Sequence, residues 1–243
     1  MFGKVLSSLG IGGATVDTVL EHEALAPGDT LRAEIRIQGG NAAQEIRAAH
    51  LSLVTRCLVE GPHGRRHGDI VLVEGQVPIG RIEAGESLTL PIEMDLPRAA
   101  PITIGSTSTR LETRLEVPGA VDPRDSDPVT IRPGATMARV LQGIEAAGFR
   151  LSETEVEYQL RRDPPFLQEF DFRPVGLGDL GIEEVEVAFL PYAGGVELLL
   201  TVDRRGGLFM GGGERMMRLR IDDAEAGRID MAAELRRVIE RLR

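Results

Sequence analysis

The stretch AVDPRDSDPVTIRPG, residues 120–134, places Asp122, Asp125 and Asp127 among three prolines. Carboxylates so closely spaced can hold a divalent cation, exchange protons or neutralise arginines. A calcium loop requires Asp-x-Asp-x-Asp-Gly and then a bidentate Glu, set between two helices. Here Asp125-x-Asp127 runs into Pro128, with neither the loop glycine nor a helical pattern beside it. Acid–base chemistry requires two carboxylates in opposed environments facing one pocket, and the sequence defines no such pocket. Two structural readings remain. One is a proline-stiffened turn whose aspartates accept backbone amides. The other is an interdomain polar network, with Asp122, Asp125 or Asp127 meeting Arg110, Arg124 or Arg173 between two domains. Breaking one partner of a buried pair costs about 3–5 kcal/mol against a net stability of about 5–15 kcal/mol, so such a network would act as a latch.

A second constellation lies in GPHGRRHGD, where His63 and His67 are four apart with Asp69 close by. On a helix that spacing could bind zinc. The flanking Gly61-Pro62, Gly64 and Gly68 predict an exposed hairpin loop instead. The glycine-rich GGLFMGGGE lacks the Gly-Lys-Ser/Thr ending of a phosphate loop and reads as a turn between strands. No Gly-x-Ser-x-Gly elbow occurs, and Cys57 falls inside a strand pattern, where a buried thiol is inert. Neither catalysis nor a cofactor has a visible home.

The chain that carries these groups has 243 residues, a length that suits two domains. With 42% hydrophobic and 27% charged residues, each half can bury a core. The net charge of -10 sets a field that repels phosphate, which argues against nucleic acid or an anionic membrane as the main partner. A single cysteine forms no internal disulfide, and the start MFGKVLSSLGIGGA has no apolar run of signal-peptide length. A cytoplasmic protein is the expectation.

Period two dominates the hydrophobic pattern, the mark of strands with one buried face. Leu31, Ala33, Ile35 and Ile37 alternate with Arg32, Glu34 and Arg36 after the turn signal Pro27-Gly28-Asp29. The same alternation runs through Ala49 to Val59, Leu88 to Met94 and Leu111 to Val117. Pro91 cannot donate to a ladder, so its strand is expected at an edge or a bulge. Short strands without intervening helices predict an antiparallel sandwich. After the acidic stretch, Met137, Val140, Leu141 and Ile144 fall at helical spacing, and Gly148 ends the run. Period two returns from Thr154 to Leu160, around Tyr192-Ala193-Gly194-Gly195 and in RMMRLRI, which predicts a second sandwich. Met231, Leu235, Val238 and Leu242 form one stripe of a C-terminal helix with Asp230 as its N-cap.

The order PGDTLRAEIRIQGGNAAQEI, LSLVT, LPIEMDLPRAAPIT, RLETRLEVPGAVDPRDSDPVTIRP, MARVLQGIEAAGFRL and PPFLQEFDFRP resembles the sporulation-control protein family of bacteria, from the N-terminus to about Arg205. The resemblance implies an all-β, arrestin-like fold of two tandem antiparallel β-sandwich domains, with a short helix after the interdomain joint and a C-terminal helix. The corresponding domains are residues 1–130 and 131–243. It further implies a protein without catalytic activity, regulatory or scaffolding in role and acting through protein contacts in bacterial development or stress response.

Three features could carry such contacts. Phe2, Val5, Leu6 and Leu9 have helical spacing, but so short a helix is marginal in water and must dock on its own sandwich, on a partner protein or on a second copy of the chain. The C-terminal helix sets Arg236, Arg237, Arg241 and Arg243 beside its apolar stripe, a pattern commoner in helices packed on a sheet than in membrane-surface helices. Open sandwich edges can add a partner's strand. The alternative is a small-molecule or metal-binding sandwich, hydrolytic in one version, using the acidic stretch or the His63/His67 loop.

Overall fold

The computed structural model describes residues 12–61, 64–176, 181–204 and 215–243. The chain is mostly strand, with helices near the middle and at the C-terminal end. Its described residues divide into two compact units, the first formed by those within 12–56, 69–100 and 108–131 and the second by those within 57–61, 64–68, 101–107, 132–176, 181–204 and 215–243. Segments 57–61, 64–68 and 101–107 thus fold with the second unit, a division that no single cut along the chain reproduces.

In the first unit, β1 (Thr15–Leu20), β3 (Thr30–Gln38) and β6 (Ser87–Asp95) form an antiparallel sheet in the order β1-β3-β6. Alternation runs through β3: Leu31, Ala33, Ile35 and Ile37 are buried, and Arg32, Glu34, Arg36 and Gln38 are exposed. Pro91 lies on β6 at the end of this sheet, where its missing N–H costs no ladder bond. Gly39 follows β3 because a Cβ there would stand 2.2 Å from the carbonyl oxygen of Glu83.

The second sheet of this unit joins β4 (Gln44–Gly61), β7 (Thr109–Leu115), β8 (Arg124–Ile131) and β2 (Ala24–Leu25), and β5 (Gly64–Ile82) pairs with β4. Leu51, Leu53, Leu111, Leu115, Val129 and Ile131 supply its buried face. Each such side chain stabilises by about 1.5–3 kcal/mol when fully buried. Thr18 on β1 and Thr113 on β7 share a buried hydroxyl hydrogen bond of 2.7 Å, so the two sheets of the sandwich are tied by a polar contact as well as by apolar packing.

The acidic stretch expected as a turn or joint is largely a strand, for residues 124–131 are β8. The reason is local. Leu115 N–H donates to Pro123 O, and antiparallel hydrogen-bonded pairs alternate from there, which makes Arg110–Pro128 a non-bonded pair. The Pro128 nitrogen therefore points away from β7, towards the side on which β2 pairs only with Thr130 and Ile131. Proline at that position leaves the ladder intact.

In the second unit, β9 (Phe149–Tyr158), β10 (Phe166–Pro174), β11 (Ile182–Tyr192), β12 (Gly195–Arg204) and β13 (Arg215–Asp222) form an antiparallel run in sequence order. The far end of β4 meets β9 in parallel at Leu58 and Glu157. Phe170 and Phe172 of β10, Val185 and Val187 of β11 and Leu198 and Leu200 of β12 are buried on one face of the sheet. Phe170 meets Phe189 edge to face, with ring centroids 5.3 Å apart.

Helix α1 (Ala135–Ala146) buries Val140 and Ile144, and the chain leaves it through Gly148 at φ 100°, a backbone state that suits glycine. A single-turn helix, α2 (Asp223–Ala226), precedes α3 (Met231–Leu242). Asp230 caps α3 by accepting from Ala233 N–H, and Met231, Leu235, Val238 and Leu242 are buried as their spacing predicts. The two longer helices pack closely at Gly143, where a Cβ would lie 2.6 Å from Met231 Cγ.

Candidate functional site

On the outer face of the β4-β7-β8 sheet, register stacks ionic side chains in rows. His50, Arg114 and Arg124 occupy one row, and Ser52, Glu112 and Ser126 the next. Like charges directly opposite each other destabilise a sheet, and here carboxylates relieve that cost. Arg114 Nη1 donates to Asp122 Oδ2 at 2.7 Å, and Asp122 Oδ1 also accepts from Val117 N–H at 3.0 Å. His50 Nε2 and Arg47 Nη1 each lie 3.0 Å from Glu116. Arg110 is held by Asp69 at 2.7 Å and by Glu112 at 2.7 Å.

These contacts favour the ionised forms of Asp122, Asp69 and Glu116. The Val117 amide and then the Arg114 guanidinium keep the Asp122 carboxyl below the usual aspartate range. The Arg110 guanidinium does the same for Asp69 and is itself pushed further up. Hydrogen bonds from His50 and Arg47 lower Glu116.

Of the expected interdomain set, Asp122, Asp125, Asp127, Arg110 and Arg124 all belong to the first unit, and Arg173 to the second. Asp122 has found Arg114, an arginine outside that set, because both flank the β7–β8 turn. Asp125 Oδ2 accepts from Thr18 N–H at 2.6 Å, and Asp127 is buried, 3% exposed. Arg173 lies 3.5 Å from Glu184 of its own unit. The capping of backbone amides foreseen for the aspartates is thus present, but at a strand and its leading turn.

Against this sheet lies a cavity of about 680 Å³, lined by His50, Ser52, Glu112, Arg114, Arg124 and Ser126 from the sheet and by Glu74 to Gln76 of β5. The segment GPHGRRHGD, expected as an exposed hairpin loop, falls where β4 and its partner β5 meet in sequence: Gly61 ends β4, Gly64 opens β5, and the exposed His67 lies on β5 rather than in a loop. His63 lies outside the described residues, as do Phe2, Val5, Leu6 and Leu9. Among the described residues, no group of His, Cys, Asp and Glu side chains converges on a metal position, and no helix is long and apolar enough to cross a membrane.

A further cluster went unnoticed in the sequence. On β9, β10 and β11 the period-two positions Glu153, Glu155, Glu157, Glu169, Asp171, Glu184 and Glu186 share one face, with Glu155 opposite Glu169 and Asp171 between Glu153 and Glu186. Burial, reinforced by Glu157 and Glu186, pushes Glu169 up to about 8, and burial with Glu184 and Glu186 pushes Asp171 up to about 6. The signal was legible in SETEVE, where acids two apart on a strand must point the same way.

Taken together, the chain is a two-unit, predominantly β protein whose exposed sheet faces carry ordered ionic networks. Residues 2–206 match the family model for Spo0M, described as SpoOM protein, and the chain belongs to that family. It is 33% identical to the sporulation-control protein spo0M of Bacillus subtilis (strain 168), over 99% of this chain and 96% of that one. The crystal structure of Spo0M, sporulation control protein, from Bacillus subtilis superposes with a TM-score of 0.86 at 30% identity, covering 96% of this chain and all of the other.

Proposed function

We propose that this protein is a non-enzymatic, arrestin-like regulator of the sporulation-control family, acting in the bacterial cytoplasm as a scaffold through contacts with other proteins in developmental or stress control. The observation that carries the reading is the match to a sporulation-control protein along nearly its whole length. The ionic chemistry of the first unit is consistent with it. Arg47, Arg110 and Arg114 are paired with Glu116, Asp69 and Asp122 at 2.7–3.0 Å, an arrangement that fixes a surface rather than one that leaves an acid and a base poised for catalysis.

The test is affinity capture of the tagged full chain from its own cells, paired with deletion of its gene. A stoichiometric protein partner and a changed developmental or stress response are expected. A deletion strain indistinguishable from its parent, with no partner retained after crosslinking, would remove the proposal.

A further inference from the structure

The cavity of the first unit is lined by one cation and one anion that the networks around it do not pair. Of its ionic lining, Arg114 is occupied by Asp122, Glu112 by Arg110 and His50 by Glu116. Asp125 is engaged by the Thr18 amide. Two lining side chains of opposite sign remain, Arg124 on β8 and Glu74 on β5, and both are exposed. Neither has an ion pair or hydrogen bond among the described residues; Arg124 adds only a weaker attraction to Asp122. Arg124 also stands directly opposite Arg114, a like-charge position that costs stability and that a bound carboxylate would relieve.

We propose that this cavity binds a short peptide segment carrying both charges, its carboxylate on Arg124 and its ammonium on Glu74. A purely anionic ligand such as a phosphate ester would meet Glu74, Glu112 and Asp125 within a chain of net charge -10. A purely cationic one would meet Arg114 and Arg124. The size also fits a peptide. The cavity's 680 Å³ falls inside the ~300–1,000 Å³ of ligand pockets, and an extended chain advances at most ~3.6 Å per residue, so a few residues fill it. Ser52, Ser126 and Gln76 supply hydrogen-bonding groups suited to the amides between the charged ends. The inference goes beyond the regulatory reading and does not depend on it.

Titration of the full chain, followed by NMR at the amides of Ser52, Glu74 and Arg124, tests this with three tetrapeptides. Unblocked tetra-alanine carries the charges on its termini, and acetyl-Glu-Ala-Ala-Lys-amide carries them on side chains. Acetylated, amidated tetra-alanine carries none. Saturable binding is expected for at least one charged peptide and not for the neutral one. Preference for the first identifies a free peptide as the source, and preference for the second an internal segment of a larger chain. Arg124→Glu or Glu74→Arg alone weakens binding at least about tenfold, and the two together restore it by reversing the ligand. Both side chains are exposed, so these variants fold. Failure of both charged peptides to saturate, or affinity untouched by the single reversals, overturns the proposal whatever partner the full chain captures.

Discussion

Asp125 Oδ2 accepts a 2.6 Å hydrogen bond from the backbone N–H of Thr18, a residue 107 positions earlier. One carboxylate on β8 thereby ties down β1, the strand whose other side pairs with β3. Hydrogen bonds to charged groups contribute about 1.5–3 kcal/mol. Asp125→Ala is expected to lower unfolding stability by about that amount, with Asp125→Asn losing less because an acceptor remains. Urea denaturation followed by circular dichroism measures both; an alanine variant as stable as the parent would show that water replaces the carboxylate at no cost.

Asp69 and Asp122 are both held below their ordinary range, by Arg110 in the first case and by the Val117 amide and Arg114 in the second. In acid the unfolded chain takes up these protons before the folded one does. Their stabilisation is therefore complete above the unfolded aspartate value, about 3.9, and is lost as pH falls through the lower folded values. Asp122→Asn should flatten the acid limb of a melting-temperature profile and leave the shape of the profile above pH 6 as in the parent.

The acidic face of the second unit behaves in the opposite sense. Glu169, raised to about 8 by burial and by Glu157, Glu186, Asp171 and Glu155, binds its proton more tightly folded than unfolded. Its contribution is fully present below the unfolded glutamate value, about 4.3, and declines as pH rises through 8. Glu169→Gln should therefore raise the melting temperature at pH 8.5 and change it little at pH 5. Equal effects at both pH values would mean that the carboxyl is ionised throughout.

Where α1 meets α3, Gly143 leaves no room for a side chain: an added Cβ would stand 2.6 Å from Met231 Cγ and 3.0 Å from Leu235 Cδ1. Overpacking of this kind costs about 1–3 kcal/mol. Gly143→Ala already carries that Cβ and is expected to destabilise the second unit, with helix propensity offsetting up to about 1 kcal/mol of the cost, and Gly143→Val is expected to destabilise it further. Calorimetry with Met231→Ala as a compensating change checks the contact, since the double variant should regain part of the loss.

Much of the secondary structure could be read from the order of residues, because burial of one strand face imposes period two and burial of one helix face imposes period 3.6. Leu31 to Ile37 and the stripe from Met231 to Leu242 follow from that rule alone, and the edge placement of Pro91 follows from its missing N–H. Membership in the sporulation-control family was also visible, in the sequence of turn and strand motifs. What the chain could not disclose was pairing across distance. Asp122 chooses Arg114 because a tight turn returns it to that strand, and Asp125 chooses an amide 107 residues away because a second sheet lies across it. The rows that join His50 to Arg124 and Glu155 to Glu169 depend on strand register. Alternation specifies which face a side chain takes, while its neighbour there is set only when separate strands are brought side by side.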